Sequence, residues 1–245
     1  MSDFGLLIVN EAGETQIDGT YKNLMEFETG TATLDMWFEN YLFDIPFDTP
    51  FDDANIAFPA FKLASWDGTF PNTGACQVKG LTSSGGNYTG FSVEAMVYGF
   101  MNPGVGFRDL DWIVYRDLNT HPIPEFGLMV KNVDNEIVYT SEEKPFIINN
   151  VYTGTYEIGD GDVEITVEDA VNHWFTILPA ASWSYASFNL VGQWFRGIRY
   201  KNASTLVITE WEKGTINHGK ICPPLTTNKT AWVDDYVILE IEQAF

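Results

Sequence analysis

Residues 3–18 read DFGLLIVNEAGETQID, and residues 125–140 read EFGLMVKNVDNEIVYT. Aligned without gaps at an offset of 122 (125 less 3), they are identical at Phe4/Phe126, Gly5/Gly127, Leu6/Leu128, Asn10/Asn132 and Glu14/Glu136. Asp3/Glu125, Leu7/Met129 and Ile8/Val130 are conservative pairs. Each copy is an apolar run, then NEAG or NVDN with residues that tolerate left-handed backbone, then Glu and a second extended stretch, which is the pattern of a β-hairpin. The offset is almost half of the 245 residues, so the pair predicts two similar halves. The stretch His121-Pro122-Ile123-Pro124 is the natural boundary. It divides the chain into an N-terminal β domain, residues 1–120, and a C-terminal β domain, residues 121–245, that begins with the repeated hairpin. Beyond the hairpins the match cannot be extended, and one continuous domain stays open as the alternative.

Outward from the hairpins the apolar residues keep period two. Val163, Ile165 and Val167 alternate with Glu164, Thr166 and Glu168, and Leu206 and Ile208 with Val207 and Thr209. Aromatic-rich runs of strand length occur at 91–100, 112–115, 126–130, 137–139 and 236–241, separated by Gly, Asn, Asp or Pro. This predicts an all-β chain, an antiparallel β-sandwich with little helix. The one window with helical spacing is Val167 to Leu178, where Ala170, Val171, Trp174, Phe175 and Leu178 follow Asp169.

Two segments stand out as candidate contact sites. In FDIPFDTPFDD, residues 43–53, Phe43, Phe47 and Phe51 are spaced by four, and Pro46 and Pro50 remove backbone donors, which excludes a central strand or a helix interior. The segment is expected to be an extended arm or an ordered loop. Its three rings need burial, either on a neighbouring subunit or across the core of their own domain. The second segment, Trp194 to Lys201, gathers Trp194, Phe195, Arg196, Arg199, Tyr200 and Lys201 in an acidic chain. Arg in aromatic company is typical of interface cores, and pairing with carboxylates inside the same chain is the equal alternative.

Composition limits the partners. Thirteen Lys+Arg against 34 Asp+Glu give a net charge of −21; with no basic run, such a field repels phosphate and argues against nucleic acid or an anionic membrane. Hydrophobic residues at 45% and aromatics at 15% mark a packed protein rather than a disordered acidic one. The first residues have no basic segment before the short apolar run 5–9, so no leader is expected, and no stretch has the roughly 18 apolar residues of a membrane helix. Cys76 and Cys222 lack metal or disulfide spacing. The sequons at Asn87, Asn202 and Asn228 are read as chance matches.

No catalytic constellation emerges. His121, His173 and His218 carry no HExxH or HxH partner, and GxSxG, GxGxxG and GxxxxGK[ST] are absent; Ser83 to Asn87 is Gly-rich but lacks the Lys. Asp160-Gly161-Asp162-x-Glu164 and Asp52-Asp53 offer oxygen ligands without the twelve-residue Ca²⁺ loop, so no metal site and no cofactor is assigned. Eight Trp and eleven Tyr leave room for an aromatic sugar platform near Trp183 and Trp194.

The pattern Phe4-Gly5-Leu6-Leu7-Ile8-Val9-Asn10-Glu11-Ala12-Gly13-Glu14, with its second copy from Phe126, resembles the opening hairpin of small tailed-bacteriophage virion proteins of the tail or minor structural kind. It departs from that pattern at Asn135, where Gly is usual. The resemblance covers about thirty residues and has no catalytic signature. It implies a non-enzymatic virion structural protein of the tail, tail tip or fibre, made in the host cytoplasm and contacting itself and other virion proteins. A carbohydrate-binding protein that recognises a host-surface glycan is the first alternative, and a glycan-degrading hydrolase the second.

Overall fold

The computed structural model describes residues 7–9, 15–18, 24–35, 42–63, 75–96, 107–117, 127–132, 134–141, 144–157, 162–167, 170, 172–178, 182–187, 190–214 and 233–243. Their regular structure is entirely β-strand. The first half opens with the hairpin β1 (Leu7–Val9) and β2 (Thr15–Asp18) and continues through β3 (Leu24–Asp35), β4 (Leu42–Asp52), β5 (Ala57–Leu63), β6 (Ala75–Ser84), β7 (Asn87–Met96) and β8 (Phe107–Asp117). The second opens with β9 (Met129–Lys131) and β10 (Ile137–Thr140) and continues through β11 (Phe146–Glu157), β12 (Val163–Thr166), β13 (Trp174–Leu178), β14 (Ser182–Ser187), β15 (Leu190–Asn202), β16 (Thr205–Gly214) and β17 (Val233–Gln243).

The long strands form two antiparallel sheets. One runs β11-β17-β13-β5-β8-β3; the other runs β12-β16-β15-β6-β7-β4, with β14 alongside β15. With β14 set aside, the halves have one topology. In each, the first long strand pairs with the last and the second with the fifth, the winding of a short jelly roll. The correspondence reaches single residues. Leu24–Asp35 and Phe146–Glu157 are both 12 residues long and stand at the offset that relates the hairpins. Each pairs with the last strand of its half through the same register, and each register slips at the same place, after Glu26 and after Ile148. Even a side-chain bond recurs: Thr33 Oγ1 donates to Asp109 at 2.7 Å, and its counterpart Thr155 donates to Asp235 at 3.1 Å. The two similar halves are thus a duplication of the whole fold.

The halves meet edge to edge. β5 pairs antiparallel with β13 at Phe61 and Phe175, and β6 with β15 at Cys76 and Ile198. Antiparallel pairing of equivalent strands is what a two-fold relation between the halves requires. Both sheets therefore cross residue 120, and one apolar core between them draws on both sides, from Phe47, Phe91 and Trp112 to Phe175, Ile198 and Ile238. Strands of both halves share both sheets; the boundary residues 121–124 lie outside the described residues. A smaller cluster around Ile113, Tyr115, Trp174 and Ile241 lies on the other face of the six-stranded sheet. There the starts of β3 and β11 meet through a bridge between Met25 and Pro145 and a 2.7 Å bond from Glu26 N to Lys144 O.

Helical spacing misled at Val167 to Leu178. Trp174–Leu178 is β13, paired on both sides, and Trp174, Phe175, Thr176 and Ile177 are all buried. A strand covered on both faces loses the polar alternation that marks period two, so its apolar residues fit either reading. The Gly-rich stretch is the β6–β7 turn, with Gly85 and Gly86 at φ 62° and 80°, the left-handed pair that a two-residue hairpin favours.

Expressed alone, residues 1–120 would expose the inner edges of β5 and β6 and half of the core. We expect that fragment to be insoluble or to self-associate, and co-expression with residues 121–245 to restore a soluble complex, read by co-purification through a tag on one fragment.

Candidate functional site

The FDxP segment is β4, the edge strand of the seven-stranded sheet. Its partner β7 matches Pro46 with Gly90 and then Phe51 with Tyr88, so the residues between bulge out of the ladder. An edge tolerates this because the prolines need no donor there. Gly90 permits the close passage, since a Cβ at 90 would run into the Ile45 carbonyl oxygen. Phe47 and Phe51 are 6% and 5% exposed and point into the core of their own chain. They stack at 5.5 Å, and Phe47 meets Phe91 at 6.1 Å and Trp112 at 6.4 Å. Phe51 lies 4.8 Å from Phe27, and the buried Arg116 guanidinium sits 3.9 Å over Phe27 and 4.9 Å over Phe51. The burial that the spacing demanded is supplied within the chain, and the rings of Phe47 and Phe51 are not on the surface. Phe43 is half-buried against the same core.

The Trp194 to Lys201 segment is the second half of β15. The side chains of Trp194 and Phe195 lie outside the described residues; their backbone pairs with Trp183 and Ser182 of β14. Arg196 is fully buried, and in the β15–β16 register it lies opposite Glu210. Arg199 is ion-paired with Asp162, and Lys201 with Glu164 at 2.5 Å. Tyr200 packs edge-on to Phe175 at 6.2 Å. So Arg199 and Lys201 meet carboxylates of their own chain, both from the segment weighed as an oxygen-ligand loop. The other such segment caps a turn, with Asp52 Oδ1 accepting from Ala54 N at 2.9 Å. No cluster of three His, Cys, Asp or Glu fit to hold a metal ion occurs among the described residues.

The second hairpin explains the repeated letters. Asn132 Oδ1 accepts from Asp134 N at 3.0 Å and Glu136 N at 2.9 Å, while its Nδ2 donates to Glu136 Oε2 at 2.9 Å. Asn135 has φ 65°, a conformation open to Gly and Asn, which lets Asn stand where Gly is usual in the motif. Gly127 has φ 123°, and a Cβ there would strike the Ser141 hydroxyl, which accepts from Leu128 N at 2.8 Å. In the second copy Asn132 and Glu136 hold the turn, and Gly127 stands at the open end of the hairpin.

Sequence reasoning missed two buried polar groups. Glu240 has no solvent exposure; it accepts from Tyr152 Oη at 2.6 Å and from His173 Nδ1 at 2.5 Å. A carboxylate oxygen accepts, so His173 presents its Nδ1 proton to Glu240. The signal was present: Tyr236, Ile238 and Glu240 share the inward side of β17, where a carboxylate needs partners. The second group joins Gln77 Nε2 to Glu94 at 2.5 Å, with Lys79 Nζ 3.3 Å from Glu94. His121 and His218 lie outside the described residues. Burial, and then the nearby Glu26 carboxylate, push the Tyr115 phenol well above its usual range.

Comparison with protein-family models, with curated proteins and with solved structures returns no significant match.

Replacing Phe47 by Ala removes a ring from the core, and we expect a loss of about 3–5 kcal/mol, seen in the denaturation midpoint with the m-value unchanged. Tyr115 tests proton linkage. Its folded-state pKa is raised, so its contribution is complete below the ordinary phenol value of about 10 and is lost as pH rises beyond it. Its Oη has no hydrogen-bond partner among the described residues. Tyr115→Phe should therefore match the parent within about 1 kcal/mol at neutral pH and lose less stability above pH ~10, measured by thermal melts across that range.

Proposed function

We propose that the chain is a structural protein of a tailed-bacteriophage particle, in the tail, tail tip or fibre region, acting through contacts with copies of itself and with other particle proteins. The observation that carries this reading is the FGL hairpin, which resembles the opening of such proteins and stands at the head of both halves of a duplicated sandwich. Jelly-roll winding is also common in viral coat domains, a likeness of architecture only. The chemistry of the described residues agrees with a scaffold: buried Glu240 is held by Tyr152 and His173, buried Gln77 bonds Glu94, and Asn132 and Glu136 hold a turn. Buried Phe47, Phe51, Trp112 and Trp174 spend their rings on packing, which leaves less of the aromatic load for a sugar platform.

The test is localisation. Antibody raised against the purified chain should decorate one fixed position on intact particles by electron microscopy, and the chain should appear at constant stoichiometry in purified particles. Absence from the particle overturns the reading. Saturable binding to one glycan class on an array would favour the receptor-binding alternative. Turnover of a polysaccharide, abolished by a single carboxylate substitution, would favour the hydrolase.

A further inference from the structure

The duplication supplies an internal control for the outer face of the six-stranded sheet. In the second half, β11, β17 and β13 set three cross-strand rows side by side: Ile148, Ile241 and Trp174; Val151, Leu239 and Thr176; Thr153, Val237 and Leu178. In the first half, β3, β8 and β5 set the matching rows: Glu26, Tyr115 and Phe58; Thr29, Ile113 and Ala60; Thr31, Asp111 and Lys62. The buried centre is apolar in both save for Thr176. The rim differs. Where the first half carries Glu26, Thr29, Lys62 and Asp111, the second carries Ile148, Val151, Leu178 and Val237 at the same backbone positions.

Those replacements leave an apolar surface in water. Ile148, Val151 and Leu178 are 42%, 52% and 39% exposed, and Val237, half-buried, lies between Leu178 and Thr153 in the register. Exposed Leu, Ile and Val elsewhere among the described residues stand apart: Leu42 on β4, Ile56 in a turn, Leu128 at the hairpin. A contiguous apolar patch of this kind marks a contact surface. The same fold, with polar residues in the same rows, shows that the backbone does not require it.

Charge selects the occupant. With a net charge of −21, two copies approaching at random bring carboxylates together. None of the nine second-half positions is charged; the nearest charges on this face are Lys62, over the Trp174 ring, and Asp235 in the next row, which accepts from Thr155, so two copies can meet there without burying an unpaired carboxylate, and an apolar patch is complementary to itself about a two-fold axis. We propose that two copies of this chain associate through the outer face of the second half of the six-stranded sheet, Ile148, Val151, Leu178 and Val237 of one packing on the same residues of the other. This names the surface for the self-association proposed above, and rests on that reading only for the expectation that the chain self-associates.

The test uses the full chain and the first half's own residues. The variant Ile148→Glu/Val151→Thr/Leu178→Lys/Val237→Asp transplants side chains that the equivalent strands already carry. Mass is measured by light scattering in moderate salt, with circular dichroism and a thermal melt to confirm folding. The expected result is a parent of two copies, or of an even multiple, and a folded variant of half that mass. Val151→Lys alone should raise the dissociation constant at least tenfold and carries the test if the fourfold variant does not fold; Thr29→Lys, at the equivalent first-half position, should leave the mass unchanged. A monomeric parent, or variants that keep the parent's mass, overturns the contact while leaving the particle role standing. Dimers that fall apart as expected in a chain missing from the particle overturn the role and keep the contact.

Discussion

The structure depends on the closure of four open strand edges. A half built from six long strands ends, on its inner side, in β5 and β6 or in β13 and β15. Each such edge presents a row of unpaired N–H and C=O groups beside an uncovered apolar face. Pairing β5 with β13 and β6 with β15 removes both costs at once, because joined edges also bring the two half-cores together. Phe61 and Cys76 from one side and Phe175 and Ile198 from the other are buried in the same cluster. The outer edges of the seven-stranded sheet are blunted locally: β4 carries two prolines and a wide bulge, and β12 is four residues long.

What the halves share and where they differ separates backbone needs from side-chain choices. The register slip, the Thr–Asp bond and the motif's Asn and Glu are kept, and in the second hairpin Asn132 is tied to main-chain geometry. Packing residues are free to change as long as the volume is filled. At the place of Val114 and Gly30 in the first half stand Glu240 and Tyr152 in the second, by the shared register. The first half fills that space with the Trp112 indole, which comes within 2.6 Å of where a Gly30 Cβ would be. The second fills it with a hydrogen-bonded phenol, carboxylate and imidazole. Two such solutions leave no letter in common, although the strands superpose in order and register.

This is why the sequence disclosed the duplication only at the hairpins. Period two was legible in Val163 to Val167 and Leu206 to Thr209, and the turn residues were legible because Gly, Asn and Glu there answer to φ and to local hydrogen bonds. The seam was not, since nothing near Phe61 or Phe175 in the chain specifies a partner 114 positions away. The aromatic arm was legible as a segment with rings to bury and donors removed. Whether its own core or another subunit received those rings depended on β7 and β8 lying beneath it, a non-local fact. The candidate contact face was hidden for the same reason: Ile148, Val151, Leu178 and Val237 come from three strands, and each looks unremarkable in its own run.

The acidity of the chain gains a structural sense from how its few cations are used. Of 13 Lys and Arg, Arg199, Lys201 and Lys79 sit beside carboxylates of the same chain, Lys62 lies 4.6 Å over the Trp174 ring, and Arg116 covers two Phe rings inside the fold. Cations held in this way have their charge engaged within the protomer, although Lys201 and Lys79 still reach the surface. The exterior field is then set by the excess of Asp and Glu, which keeps unrelated surfaces apart at low ionic strength and weakens with salt. Against such a field, attraction between copies has to come from short-range burial of apolar area at a place with no carboxylate to desolvate. The uncharged rows on β11, β17 and β13 meet that condition, and the matching rows on β3, β8 and β5, with Glu26, Lys62 and Asp111, do not.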